Sequence, residues 1–273
     1  MHPRTSLPVE RLDLPLPSGG TARRTLEVPS RRAILRELEL PGTVRWGAIP
    51  EPPPFLPLSA PLAELLEGGI LRGRVWEIVG PGRTSFLYAV LAEVTGRGEF
   101  AALLDFPHAF DPPSAVRAGI ELATLLWVRP PSWREGLRCA EQILSTRGFA
   151  LVTLDVEGAP PGRLQMPSLW ARLARAALRS ATALAVLTPR RSVGSFAALV
   201  VEMERTATVW CTHGPGLFGG FDARGRLVRS KLGPPGRWRD FAFRWVDAEV
   251  GRASHAGCLS LRSRPASGRR AAG

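Results

Sequence analysis

From Leu62 onward the chain alternates short, nearly continuous apolar runs with longer stretches of helical period. The runs "RVWEIV" (74–79), "FAALLD" (100–105), "LLWV" (125–128), "FALVTLD" (149–155) and "TALAVLT" (182–188) are bounded by turn residues, the pattern of strands buried on both faces. Helix patterns fill the intervals at 83–95, 112–119, 132–146 and 167–180. Strand, helix, strand in repetition predicts an α/β fold, a mostly parallel sheet with crossover helices. "FAALVVEMER" (196–205) and "RLVRS" (226–230) predict further strands, antiparallel at the sheet edge. "GRWRDFAFRW" (236–245) reads better as a packed edge strand than as a stacking platform for bases, although Trp238 and Trp245 are the indoles best placed for a partner. Trp76 and Trp127, inside strand patterns, are expected in the core.

The two ends read differently. Residues 1–30 mix prolines, glycines and charges without sustained periodicity and are expected to be irregular; "RRAILRELE" (31–39) predicts a short helix. The proline cluster of "IPEPPPFLPL" (49–58) admits no helix and predicts a stiff linker. The end of the chain, "SLRSRPASGRRAAG", is basic and lacks an apolar face, the composition of a disordered tail. The expected organisation is therefore an extension and linker over 1–56, an α/β domain over 57–250 and a basic tail over 251–273.

Composition adds three constraints. With 45% hydrophobic and 22% charged residues in 273, the chain is long enough for one substantial core. Its formal charge of +12 rests almost wholly on arginine, Lys231 being the only lysine. Arginine pairs bidentately with phosphate and stacks on bases, so a polyanionic partner is chemically reasonable, while GC-rich coding would produce the same bias. Three scattered cysteines do not suggest a disulfide framework and fit a reducing compartment. No apolar run reaches a membrane span and no signal peptide opens the chain, so the expected location is cytoplasmic, with no membrane partner.

The candidate chemistry lies in "EIVGPGRTSF" (77–86). A phosphate-binding loop runs strand, G-x-x-x-x-G-K-[ST], helix, because consecutive backbone N–H groups must curl around a phosphate while lysine and a hydroxyl reach its oxygens and Mg²⁺. Gly82, Arg83, Thr84 and Ser85 match the end of that pattern. Only Pro81 separates Gly80 from Gly82, however, and Arg83 stands where lysine belongs. The loop is three residues too short to encircle a phosphate, and a tight strand-to-helix turn with weak anion affinity at its helix N-terminus is the simpler reading.

Several stretches in the right order resemble the ATPase core of RecA recombinases: "GGILRGRVWEIVGP" (68–81), "LLDFPHAFDP" (103–112) and "LVTLDV" (151–156), the last like a Walker B strand ending in Asp155. With "LLWVRP" (125–130) and the arginine of "GRTS", the chain is more similar still to the shorter ImuA-type paralogues, associated with inducible mutagenesis beside a Y-family-like polymerase. The resemblance implies a RecA-like P-loop NTPase core acting as a DNA repair accessory in SOS-linked translesion synthesis, with a polymerase-like partner. It assigns Gly80, Gly82, Arg83, Thr84, Ser85 and Asp155 to a remnant nucleotide site, and Arg190 and Arg191, in a loop following a late strand, to single-stranded DNA. Pro107 occupies the position of the family's water-orienting glutamate, so hydrolysis is not expected. No cofactor is therefore anticipated; ATP with Mg²⁺, in a DNA-stimulated ATPase with a rearranged loop, is the alternative, and a basic single-strand-binding module is another. Cys211, His213, His255 and Cys258 offer zinc-type donors at an unfavourable spacing. No serine, histidine and acid set has motif support.

Overall fold

The computed structural model describes residues 9–15, 23–29, 55–160, 162–210, 218–244 and 262–264. The chain divides into two compact units, Met1–Glu51 and Pro52–Gly273. In the first, strand β1 (Val9–Pro15) pairs antiparallel with β2 (Arg23–Pro29), Leu12 opposite Leu26. This differs from the irregular segment expected there. Each strand carries a brief apolar–acid–apolar alternation, Leu12-Asp13-Leu14 and Leu26-Glu27-Val28, which is strand-compatible but too short to stand out among prolines. The helix expected at 31–39 lies outside the described residues.

The second unit begins with β3 (Phe55–Pro57), helix α1 (Ala60–Leu65) and β4 (Gly69–Leu71), β3 and β4 forming a small antiparallel pair. There follow β5 (Val75–Val79), α2 (Arg83–Thr95), β6 (Phe100–Asp105), α3 (Pro112–Arg117), β7 (Leu125–Val128), α4 (Trp133–Ser145), β8 (Phe149–Asp155), α5 (Pro167–Ser180) and β9 (Ala183–Thr188). From β5 to β9 the predicted strands and helices are all present, with ends differing by no more than two residues. β10 (Ala197–Trp210), β11 (Phe218–Ser230), β12 (Trp238–Arg244) and β13 (Arg262–Arg264) complete a nine-stranded sheet of order β13-β12-β11-β10-β5-β9-β8-β6-β7. β10, β5, β9, β8, β6 and β7 run parallel; β11, β12 and β13 add on antiparallel.

Both faces of the parallel part are covered, which is why its strands read as unbroken apolar runs. Trp76, Ile78, Leu103, Ala185 and Leu187 pack with Phe86, Leu87, Val90 and Leu91 of α2 and with Phe221, Phe241 and Phe243 of the antiparallel extension. Val75, Ala102, Leu104, Val152, Leu154 and Val186 pack on the opposite face against Leu144 of α4 and Trp170 and Leu173 of α5. Phe86 meets Phe241 edge to face at 5.5 Å, tying the strand-to-helix turn to the sheet extension.

Two expectations need correcting. β10 and β11 are far longer than 196–205 and 226–230; in β11, glycines that weaken a strand pattern serve close packing: a Cβ on Gly220 would overlap the Phe243 carbonyl oxygen, and one on Gly225 would lie 2.8 Å from the Phe241 ring. The tail expected to be disordered supplies β13, which pairs Arg262, Ser263 and Arg264 with Ala242, Phe241 and Asp240. Backbone pairing at a sheet edge requires no apolar face.

Candidate functional site

The carboxyl ends of β5, β8 and β9 converge where the chain order reverses across the sheet, the position at which open α/β sheets bind ligands. β5 ends at Gly80, with φ of +90°, where a Cβ would overlap the Met203 carbonyl oxygen of neighbouring β10. After Pro81, Gly82 caps α2 with φ of +93° and has the Phe221 ring 3.2 Å from where its Cβ would be. The Arg83 N–H donates to Gly80 O at 3.4 Å and the Phe86 N–H to Gly82 O at 3.0 Å. Backbone and ring thus crowd the turn from the β10–β11 side.

The Arg83 guanidinium does not reach outward as the lysine of a phosphate loop would. One nitrogen donates to Gly80 O at 3.3 Å and another lies 2.6 Å from Glu157 Oε2, and the side chain is only 14% exposed. Its Nε is buried without a partner. Thr84 and Asp155 line a cavity of about 50 Å³ together with Tyr88, Asp105, Phe110 and Glu157, while Ser85 is not among its lining residues. Burial pushes the Asp155 carboxyl up to about 6, against the lowering effects of the Glu157 N–H and the Arg83 charge. Burial likewise pushes the Tyr88 hydroxyl up to about 12, so it stays protonated at neutral pH.

Asp105, at the end of β6, is 1% exposed. Its carboxylate accepts the N–H groups of Ala109 at 2.9 Å and Phe110 at 3.1 Å and the Trp127 indole N–H at 3.2 Å. The two backbone bonds hold the loop through Pro107 and His108 in place, and the indole ties the carboxylate to neighbouring β7. Asp105 is consumed in folding the loop, and Trp127 packs against the core as expected.

Arg190 and Arg191 lie on the other side of Gly80 and Pro81, exposed in a groove of about 490 Å³. Arg224 and Arg226 of β11 join them there, together with Glu202 and Glu204 of β10. Arg191 is 3.5 Å from Glu202; Arg224 pairs with Asp240 at 2.8 Å and stacks 4.4 Å over the Trp238 ring. Arg190 and Arg226 have no carboxylate partner among the described residues. Sequence reasoning had not selected Arg224 or Arg226, since nothing in a strand pattern says which loop it will face.

It also passed over Glu77. This lone acid inside "VWEIV" is 1% exposed, and its Oε1 accepts the Thr188 hydroxyl at 3.0 Å and the N–H groups of Ser192 at 2.6 Å and Val193 at 3.2 Å. It fixes the loop that carries both arginines. A charge in an otherwise apolar central strand was the available signal. The zinc-type residues Cys211, His213, His255 and Cys258 lie outside the described residues, as does Trp245; Trp238 is half-buried on β12, a packed strand as expected, but β13 rather than β12 forms the edge of the sheet. Among the described residues no helix is long and apolar enough to cross a membrane.

The sequence profile of the RecA N-terminal domain matches residues 60–186. Protein RecA of Roseiflexus sp. is 35% identical over 123 residues, 41% of this chain and 35% of that one. Protein RecA of Chlorobium limicola is 36% identical over 126 residues, 42% of this chain and 36% of that one. The chain thus spans about a third of the length of these curated relatives. Among solved structures, the RadB recombinase superposes with a TM-score of 0.53 at 18% identity, covering 67% of this chain and 93% of that one, a likeness of fold.

Proposed function

We propose that this chain, matched over residues 60–186 by the RecA N-terminal domain and similar in fold to the RadB recombinase, is a DNA repair accessory protein of the ImuA type, non-catalytic, that scaffolds a Y-family-like translesion polymerase at damaged DNA. The observation that carries the reading is the turn at Gly80–Arg83. One residue between the glycines leaves no ring of amide donors, the Met203 carbonyl and Phe221 ring back the turn, and Arg83 is tied down by Glu157. The cavity of about 50 Å³ that Thr84 and Asp155 line is well below the roughly 300–1,000 Å³ of cofactor sites, which argues against a nucleoside triphosphate with Mg²⁺ on that side of the turn. Pro107, in place of an acid, and Asp105, spent on backbone N–H groups, supply no base for an attacking water.

What remains is a rigid body with an arginine-lined groove. Arg190, Arg191, Arg224 and Arg226 support contact with a nucleic-acid backbone through phosphate rather than base edges, which positions without reading sequence. Titration calorimetry with ATP and Mg²⁺ is expected to give no saturable heat, and tagged protein from DNA-damaged cells is expected to carry the polymerase-like partner. ATP turnover that disappears in Asp155→Asn would overturn the reading and restore the rearranged-loop ATPase.

A further inference from the structure

At the opposite edge of the sheet, where β5 and β10 begin, lies a cleft of about 330 Å³ between these strand ends and α5. Its floor is apolar: Val75, Ala171, Ala174, Leu178, Phe196 and Ala198. Gly73 belongs to it, because a Cβ there would press on Leu178 Cα at 3.3 Å. The rim is cationic. Arg74, Arg175 and Lys231 line it, no carboxylate does, and none of the three has an ion-pair partner among the described residues. Hydrogen bonds place two of them: Lys231 Nζ donates to Ser195 O at 2.7 Å, its backbone N–H to Ala198 O at 2.9 Å, and Arg175 Nε to Ala171 O at 3.2 Å. Arg175 also borders a second, polar cleft of about 210 Å³ with Arg172 and Arg179, where Glu141 pairs with Arg172. Leu178 is 55% exposed in this setting, although it stands among arginines.

We infer that this cleft is a docking site for an acidic segment of a partner protein, which inserts one large apolar side chain between α5 and the start of β10 and sets its carboxylates on Arg74, Arg175 and Lys231. Charge complementarity selects the occupant. Three unpaired cations around a floor that carries a single aromatic ring suit an aliphatic or aromatic anchor flanked by Asp and Glu, and a run of bases would require several stacking platforms. The site shares no lining residue with the arginine-lined groove or with the turn at Gly80.

The test is selection of a phage-displayed random peptide library of about 12 residues on the full chain, in parallel with the Arg175→Glu/Lys231→Glu variant, whose folding is checked by circular dichroism. Both residues are exposed, so the variant is expected to fold. Peptides with one Leu, Phe or Trp flanked by acids should be enriched on the unaltered chain only. A synthetic copy of the winner should bind at least about tenfold more weakly to the variant, and as weakly to the unaltered chain once its apolar residue is replaced by Ser. Absence of such enrichment, equal binding to both proteins, or indifference to the apolar residue overturns the proposal. So does a dT20 oligonucleotide that loses affinity in the variant and displaces the peptide, which would assign the cleft to nucleic acid. A dimer in sedimentation velocity that the two substitutions dissolve would assign it to a second copy and equally overturn the proposal.

Discussion

Asp105 and Asp155 look alike in sequence, each an aspartate ending an apolar strand, yet the structure gives them different hydrogen-bond partners. Asp105 is held by two backbone N–H groups and an indole, whereas Asp155 accepts one N–H from Glu157 at 3.2 Å and is dominated by desolvation, which raises it from 3.8 to about 6. A carboxyl raised on folding is not penalised at low pH, where both states hold the proton. As pH climbs from about 4 to about 6 the unfolded chain releases that proton first, so the native state loses relative stability; above the folded value the loss is complete, about 3 kcal/mol. Asp155→Asn removes the charge while keeping an acceptor for Glu157. Urea denaturation should therefore find the variant more stable than the parent near pH 8, by up to about 3 kcal/mol, with the advantage gone near pH 4. An advantage that is independent of pH would show that desolvation is not the cause. The two aspartates were legible as strand ends; their division of labour depends on which backbone amides happen to face them.

Elements were read well wherever one period dominated. α4 shows how its start is held: Ser132 and Glu135 have the spacing of a capping box, and the Ser132 hydroxyl accepts the Glu135 N–H at 3.3 Å and donates to its carboxylate at 3.0 Å. Ser132→Ala should cost about 1 kcal/mol in chemical denaturation, and Ser132→Asp, a competent cap, should recover most of it. Recovery by neither Asp nor Thr would mean that the helix start is held by its packing alone. The less legible elements were β10 and β11. Beyond Glu202, β10 no longer has β5 beside it, so after Met203 its residues are largely exposed and lose the continuous apolar signature of the parallel strands. The glycines of β11 read as breaks because their function, admitting Phe243 and Phe241 closely, is a property of the neighbouring strand.

Across the molecule, the arginine excess resolves into separate surfaces. One is the groove at the carboxyl edge, which draws Arg190 and Arg191 from a loop and Arg224 and Arg226 from β11; another is the rim at the amino edge, around Arg175. If the first is the nucleic-acid contact, Arg190→Ala/Arg226→Ala should weaken dT20 binding in fluorescence anisotropy by roughly tenfold and flatten the slope of log K against log salt by roughly 1 to 2. An unchanged slope would place the contact elsewhere. By itself the sequence determined the α/β class, the strand and helix order of the central sheet, and the shortness of the turn between Gly80 and Gly82, because periodicity and loop length are local properties written along the chain. The tertiary structure alone decided that Met203 and Phe221 would back that turn, that Glu157 would hold Arg83, that Glu77 would anchor the loop of Arg190 and Arg191, and which arginines would share a groove. Those contacts join residues up to about 140 positions apart, and their pairing is fixed by strand order and burial, which no local pattern encodes.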